Sequence, residues 1–171
     1  MLRTPRAGRL LVATPGLTDP TFARTVVLLL AAEDAGALGI VLNRPGGLDV
    51  TEILPQWEPL AAEPRAVFVG GPVAPDTAMC LGRSGNSWRA ISVEESPDTA
   101  GVECVRLFAA YAGWGRQQLE AEIEAGGWYV LPATAEDVFT GEPETLWRRV
   151  LRRQNGRAAW ASTAPDDPRQ N

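Results

Sequence analysis

Gly36-Ala-Leu-Gly-Ile-Val-Leu-Asn-Arg-Pro45 is the stretch from which the fold of this chain can be worked out. Its apolar centre, Ile40-Val-Leu42, is short, continuously apolar and bounded by turn residues, which predicts a strand buried on both faces. This strand runs directly into Asn43-Arg44-Pro45-Gly46-Gly47, a turn that is rich in backbone donors and carries one arginine. We therefore expect the strand to place a polar corner at a fixed position in the fold.

A second corner of the same build, Val69-Gly70-Gly71-Pro72-Val73, closes another predicted strand at residues 66–69. We expect the two corners to meet in the folded chain. Their backbone N–H groups and one guanidinium could then form an anion-binding nest from Asn43, Arg44, Gly46, Gly47, Gly70 and Gly71. In the alternative interpretation, the glycines serve only tight turns, and Arg44 pairs with a neighbouring carboxylate.

Strand patterns dominate the first half of the chain and helix patterns the second, which predicts an α+β fold. The apolar runs 25–31 and 37–42 are joined by a tight connection and should form an antiparallel hairpin. Such short strands, well separated by turns, suit a curled sheet or an open barrel with helices packed outside it. Further strands are expected at 9–13, 66–69, 78–81, 88–92 and 128–131, with 103–111 fitting either a strand or a helix, and helices at 51–54, 116–125, 134–139 and 144–154. Thr134 is expected to cap the third of these helices, with Asp137 three residues on as an imperfect capping box.

The length of 171 residues indicates one domain, which we place at residues 1–160. Residues 161–171 are polar, contain two prolines and are predicted to form a disordered tail. No signal peptide precedes Cys80 and Cys104, and the longest apolar run, 26–32, is far too short to span a membrane. We therefore expect a cytosolic protein with reduced, structural thiols and no membrane contact. Its oligomeric state is left open.

The charged residues exclude several kinds of chemistry. The net charge of −5 and the pI of about 4.8 argue against nucleic-acid binding through bulk electrostatics, which needs a basic face. All 16 basic residues are arginine, so lysine-based Schiff-base chemistry is excluded. Histidine is absent as well, which removes the commonest general base and most zinc sites. We expect no metal and no cofactor.

An ordered set of short motifs extends over residues 8–155. It comprises Gly8-Arg-Leu-Leu-Val-Ala13, Asp19-Pro-Thr-Phe22 with Arg24-Thr-Val26, Gly36-Ala-Leu-Gly39 with Leu42-Asn-Arg-Pro45, Val69-Gly-Gly-Pro-Val73, Gly113-Trp-Gly115, Gln118-Leu-Glu120, and Asp137 and Phe139 before Leu146-Trp147. In this order and spacing the motifs resemble the AlgH/YqgE family of bacterial proteins. The resemblance implies an α+β fold in which a bent, mostly antiparallel sheet forms a pseudo-barrel with helices packed outside. It implies no established activity, although some members carry the label of transcriptional regulator.

The chain departs from the family pattern where relatives often carry histidine. Ala31-Ala32-Glu33 stands at one such place, and Thr77-Ala-Met-Cys-Leu-Gly82 replaces a second segment that contains histidine in many relatives. If any relative uses those histidines for chemistry, this chain cannot do the same.

Three further groups of residues are candidate sites. The segment Gly113-Trp114-Gly115-Arg116, at the start of a predicted helix, could present backbone N–H groups to an anion, or Trp114 could be a core or lid residue. Asp19 and Arg24 could act in acid–base catalysis, or as a cap and a surface ion pair. The last predicted helix forms a basic patch that could touch nucleic acid or simply be a solvated helix face; its arginines are Arg148, Arg149, Arg152 and Arg153, followed by Arg157.

The preferred hypothesis is a binding or regulatory protein without enzymatic activity, whose cleft lies at the two glycine-bearing corners and takes a small anionic ligand or a protein partner. The alternative is an enzyme that acts on a small anionic substrate through carboxylates, arginine and backbone donors. Asp19 and Asp137 are then the nominated acids, and one of them must share a cleft with Arg44. A nucleic-acid-binding regulator is the third, least supported hypothesis.

Overall fold

A computed structural model of the chain describes residues 4–92 and 94–167. Within them a nine-stranded sheet runs in the order β4-β5-β8-β3-β2-β1-β9, with β6 paired to β8 and β7 to β6. The strands are β1 (Arg9–Ala13), β2 (Val26–Glu33), β3 (Gly36–Val41), β4 (Pro45–Asp49), β5 (Ala66–Val69), β6 (Val73–Ser84), β7 (Ser87–Ile91), β8 (Cys104–Trp114) and β9 (Trp128–Pro132). The helices are α1 (Val50–Ile53), α2 (Gln118–Glu124), α3 (Ala135–Val138), α4 (Leu146–Arg152) and α5 (Arg157–Ala161), with 3₁₀ helices at Pro55–Leu60 and Pro143–Thr145.

The predicted α+β class and mostly antiparallel sheet are confirmed. All strand pairs but one are antiparallel, and the exception is β5 with β8. The sheet is open, since among the described residues β4 and β9, at its two ends, do not pair with each other. The predicted hairpin of β2 and β3 forms, with Val27 opposite Val41 and Glu33 opposite Gly36.

The central strands are buried on both faces, as their continuous apolar runs predict. Along β1, Leu10 and Val12 point into the core that α4 covers, whereas Leu11 and Ala13 point into the core on the opposite face, which α2 covers. A third cluster around Trp57 packs the 3₁₀ helix Pro55–Leu60 against the other half of the sheet. The strands therefore hold their register firmly, because a shift by one residue would exchange the two faces.

Several local predictions are corrected by the structure. Cys104–Trp114 forms one long strand, so residues 103–111 are not a helix and Trp114 ends β8 instead of starting a helix. Pro45-Gly46-Gly47 begins the edge strand β4 rather than forming a turn, because Pro45 pairs with Phe68 of β5. Helix α5 was not expected, since its short sequence has little apolar periodicity. By contrast, the capping box predicted for Thr134 and Asp137 is present.

The chain after α5 folds back towards α4. Ala164 packs against the core, and Arg148 donates hydrogen bonds to the carbonyls of Ser162 and Ala164. Residues 168–171 of the predicted tail lie outside the described residues, and the domain boundary at residue 160 stays a prediction. Of the helices in the described ranges, none has the length and apolar character required to cross a membrane.

Candidate functional site

The two glycine-bearing corners lie side by side. The N–H of Val69 donates to the carbonyl of Arg44 at 2.7 Å, and the N–H of Val41 donates to the carbonyl of Gly70 at 2.8 Å. Gly70 in turn donates its own N–H to the carbonyl of Ala109 in β8 at 2.7 Å. Gly70 therefore joins β3 to β8, and its N–H group is used by the sheet.

Close packing explains why three of the corner positions are glycine. A Cβ atom at Gly46 would stand 2.6 Å from the Val67 carbonyl oxygen, and one at Gly70 would stand 2.5 Å from the Ala110 carbonyl oxygen. At Gly71 it would stand 2.1 Å from the Tyr111 carbonyl oxygen. Gly47 has no such neighbour within 4 Å. The structure thus gives these three glycines a packing role.

Asn43 and Arg44 hold the turn at residues 19–24 in place. Asn43 accepts a hydrogen bond from the N–H of Val26 at 3.0 Å and donates one to the carbonyl of Arg24 at 2.9 Å. The Arg44 guanidinium donates to the carbonyls of Thr21, Pro20 and Ala23. Its partial burial lowers the pKa of Arg44 from the ordinary arginine value. Both side chains therefore position the turn, whose last residue is Arg24.

We expect Asn43→Ala to lower the free energy of unfolding by about 2 kcal/mol. The substitution removes two hydrogen bonds and leaves the buried N–H of Val26 without its acceptor, and an unsatisfied buried group costs about 1–3 kcal/mol. Urea denaturation of both proteins measures the difference. Asn155→Ala, at an exposed position, is the control and should change the free energy by less than about 0.5 kcal/mol. An equal loss of unfolding free energy in the two variants would mean that the hydrogen bonds of Asn43 do not stabilise the turn.

A groove of about 240 Å³, open to solvent, lies where this turn meets α4. Its lining comes from the polar corner, from α4 with the 3₁₀ helix before it, and from the segment after α5: Ala23, Arg24, Asn43, Arg44, Pro143, Glu144, Trp147, Arg148 and Asp166. Three arginines thus converge on a space that also holds two acids. Glycines 46, 70 and 71 do not line the groove, so the cleft lies beside the glycine corners rather than between them.

Arg24 has the most unusual environment in the groove. Its backbone has φ of +59°, a conformation that is uncommon for residues other than glycine and that costs about 1–3 kcal/mol. Its guanidinium lies 4.3 Å from the ring centroid of the buried Trp147, whose indole N–H is fixed by the Ala13 carbonyl at 2.8 Å. The surrounding structure therefore holds Arg24 in place despite the strain.

The positive charges of Arg24 and Arg148 repel each other. The pKa of Arg24 is lowered first by burial and then by the positive charge of Arg148, whereas the carboxylate of Asp166 raises it. Asp166 Oδ1 accepts a hydrogen bond from Arg148 Nη2 at 2.7 Å and lies 3.3 Å from Arg24 Nη1. The two guanidinium groups therefore share one anion, and together they form the chemical centre of the groove.

Trp114 and Gly115 lie elsewhere. Trp114 is buried on the α2 side of the sheet, where its ring packs against Phe22 and Trp128. Glu122 accepts hydrogen bonds from the indole N–H groups of Trp114 and Trp128, each at 2.9 Å. Gly115 donates its N–H to the Gln118 side chain. This arrangement serves packing, in agreement with the alternative interpretation of Trp114 as a core residue.

A larger depression of about 520 Å³ lies over α2. Its lining residues are all exposed and mostly acidic or polar: Asp34, Arg116, Gln117, Glu120, Ala121 and Glu124. The depression lacks a side chain held by burial, and of the candidate site residues named from the sequence only Arg116 lines it. We therefore give the smaller groove more weight, since fixed groups discriminate ligands better than mobile ones.

The two acids nominated for catalysis are occupied by structural contacts. The Asp19 carboxylate accepts the N–H of Thr21 at 2.8 Å, as an N-terminal cap would. Asp137 has an exposed side-chain fraction of only 1% and pairs with Arg153 at 2.6 Å. Neither acid lines the groove. In the described part of the chain, no group of three or more potential ligands could hold a metal ion.

The arginines of the predicted basic patch, on α4 and just after it, mostly form contacts within the chain. Arg148 binds the C-terminal segment, Arg149 donates to Thr140 and Thr145, and Arg153 pairs with Asp137. Few of its donors are therefore free to meet phosphate groups of a nucleic acid. Burial raises the pKa of the Cys80 thiol to about 11 and also raises that of Cys104, which disfavours the reactive thiolate form of both side chains.

Comparison with known proteins identifies relatives along nearly the whole chain. A family model described as AlgH-like matches residues 10–159. A UPF0301 protein of Streptomyces coelicolor is 48% identical over 182 residues, which cover 96% of this chain and 94% of that protein. A UPF0301 protein of Thermobifida fusca is 41% identical over 194 residues, with coverages of 100% and 98%.

Two solved structures share the fold. A crystal structure of a Corynebacterium diphtheriae protein superposes with a TM-score of 0.86 at 29% identity and covers 94% of this chain and 93% of that one. The solution structure of the AlgH protein from Pseudomonas aeruginosa superposes with a TM-score of 0.66 at 31% identity, with coverages of 94% and 95%.

Proposed function

The chain belongs to the AlgH-like family, and we propose that it is a cytosolic binding or regulatory protein whose ligand is a small oxyanion, bound in the groove by Arg24 and Arg148. The family is defined by sequence and fold rather than by a known reaction, so the proposal depends on the geometry of the groove. Free Cys80 and Cys104 support a reducing compartment.

One observation carries the proposal: two guanidinium groups are held against Trp147 and share a single carboxylate oxygen. Holding two like charges together has a cost in free energy, which an anion between them offsets. Arginine presents a planar fork of N–H donors that suits carboxylate and phosphate oxygens. The strained backbone of Arg24 adds support, since conformations of this kind cluster at functional sites.

Binding rather than catalysis is favoured because of what surrounds the two arginines. Apart from Asp166, the acid that lines the groove is Glu144, which is exposed on the 3₁₀ helix Pro143–Thr145. Neither Asp19 nor Asp137 lines the groove. A hydrolase or transferase needs a positioned general base or nucleophile near the bound anion. The arginines therefore bind the ligand, whereas Asn43 and Arg44 act as positioning residues.

We expect Arg24→Met and Arg148→Met each to weaken oxyanion binding by about tenfold to a hundredfold. A hydrogen bond to a charged group contributes about 1.5–3 kcal/mol, and 1.4 kcal/mol corresponds to a factor of ten. Isothermal titration calorimetry with inorganic phosphate and, separately, with succinate measures the loss and distinguishes a phosphate ligand from a carboxylate ligand.

Arg152→Met is the matched control for this test. Arg152 is exposed on the same helix as Arg148, does not line the groove, and loses the same charge on substitution. It should bind both anions with the wild-type affinity. If Arg152→Met weakens binding as much as Arg148→Met does, the effect comes from net charge and the proposed site is wrong. Failure of the wild-type protein to bind either anion would also overturn the proposal.

A further inference from the structure

We infer that residues 162–166 form a displaceable lid whose Asp166 carboxylate occupies the anion position between Arg24 and Arg148. An incoming oxyanion must therefore compete with the chain's own C-terminal segment. This inference rests on the proposed function, since it describes how access to the same groove is regulated.

The two guanidinium groups hold the lid through hydrogen bonds, and the burial of Ser162 and the packing of Ala164 against the core add to this hold. Arg148 donates to the carbonyls of Ser162 and Ala164 and to the Asp166 carboxylate. Arg24 donates to the carbonyls of Ala164 and Pro165. The donors that would bind the ligand are thus the same donors that bind the segment. Ligand and segment cannot satisfy them at the same time.

Asp166 resembles a bound ligand more than a permanent structural partner. Its side chain is 89% exposed, and those of Arg24 and Arg148 are 28% and 31% exposed. The ion pair of Asp137 and Arg153 is built differently, because the Asp137 side chain is only 1% exposed. Exposed ion pairs contribute little to stability, so the Asp166 contacts can be exchanged for those of a solute.

Charge balance requires that whatever replaces Asp166 be anionic. Three arginines line the groove against two acids, Glu144 and Asp166. When the lid opens, only Glu144 remains beside Arg24, Arg44 and Arg148. The net charge of the groove then rises from +1 (three arginines, two acids) to +2 (three arginines, one acid), which favours an oxyanion over neutral or cationic molecules.

Orthophosphate is a suitable probe because its oxygens can replace several acceptors of the lid at once. One oxygen can take the place of Asp166 Oδ1, and others can take the donors that now serve the Ala164 and Pro165 carbonyls. We therefore expect the lid to lose its contacts with both arginines when phosphate binds.

The test compares the full-length wild-type protein with Asp166→Asn in titrations with inorganic phosphate. The amide removes the charge of the competitor and keeps its shape. Because the apparent affinity rises with the fraction of molecules whose site is open, we expect Asp166→Asn to bind phosphate about threefold to tenfold more tightly than the wild type. Asp76→Asn makes the same charge change at an exposed position outside the groove and should bind like the wild type.

The outcomes separate the inference from the proposed function. Equal affinities of the wild type and Asp166→Asn, both weakened by Arg148→Met, would overturn the lid and keep the binding site. No binding by either protein would overturn both. Backbone amide NMR provides a second measurement: phosphate should shift the signals of residues 162–166 towards those of a mobile chain in the wild type. Unchanged signals at saturating phosphate would also contradict the lid.

Discussion

Gly71→Ala is expected to lower the free energy of unfolding by about 3 kcal/mol or more, or to prevent folding. The new Cβ would stand 2.1 Å from both the carbonyl carbon and the carbonyl oxygen of Tyr111, a separation that real Cβ atoms do not show. These obstructing atoms are backbone atoms of β8, which is paired with β3, β5 and β6 and cannot move aside. Overpacking in a rigid interior typically costs about 1–3 kcal/mol, and a backbone clash exceeds that range.

Gly47→Ala is the matched control, because it makes the same substitution in the other corner. A Cβ at Gly47 would meet nothing within 4 Å, so we expect a change of less than about 1 kcal/mol. Urea denaturation with linear extrapolation measures both variants. A Gly71→Ala protein as stable as Gly47→Ala would mean that β8 and the second corner are not packed as described, and the glycines would again be candidates for direct ligand binding.

Arg106→Met is expected to lower the free energy of unfolding by about 2–4 kcal/mol. The Arg106 side chain is 1% exposed and donates to the carbonyls of Thr140 and Glu63, each at 2.7 Å, while its guanidinium lies 4.3 Å from the Phe68 ring centroid. Methionine fills much of the same volume but donates no hydrogen bond, so both carbonyls lose their partner. Each unsatisfied buried group costs about 1–3 kcal/mol.

Relief of the buried charge offsets part of this loss. Burial lowers the pKa of Arg106 to about 10, because the charged guanidinium loses hydration that its two hydrogen bonds only partly replace. Replacing a buried charge by an apolar side chain is stabilising when no partner is left unpaired, but here two carbonyls remain. We therefore expect the loss to dominate. Arg152→Met, on the surface, should change stability by less than about 0.5 kcal/mol, and an Arg106→Met protein equally close to the wild type would contradict this balance.

The positions predicted for ligand binding have mainly positioning and packing roles in the structure. Asn43 and Arg44 line the groove, but their hydrogen bonds hold the turn that carries Arg24. Arg24 was considered in the sequence only as a partner of Asp19, and Arg148 only as part of a basic patch. No local signal pairs these two arginines, which are 124 positions apart in the chain.

Strands, turns and caps could be predicted because they depend on neighbouring residues. The buried run Ile40-Val-Leu42 and the capping box of Thr134 with Asp137 are examples, since apolar continuity and a side chain three residues from a helix start act locally. The absence of lysine and histidine was equally readable, and it restricted the possible chemistry before any fold was known.

Long-range contacts decided the rest. Arg106, flanked by the apolar residues Val105 and Leu107, looks like an ordinary outward position of a strand, yet the folded chain buries it where two distant carbonyls need a donor. Gly70 and Gly71 look like turn residues, but the approach of β8 is what excludes a Cβ there. A groove forms at Arg24, Trp147 and Arg148 because the burial of Trp147 brings α4 against the turn at residues 19–24. The free energy of this burial comes from apolar surfaces that meet only in the folded protein.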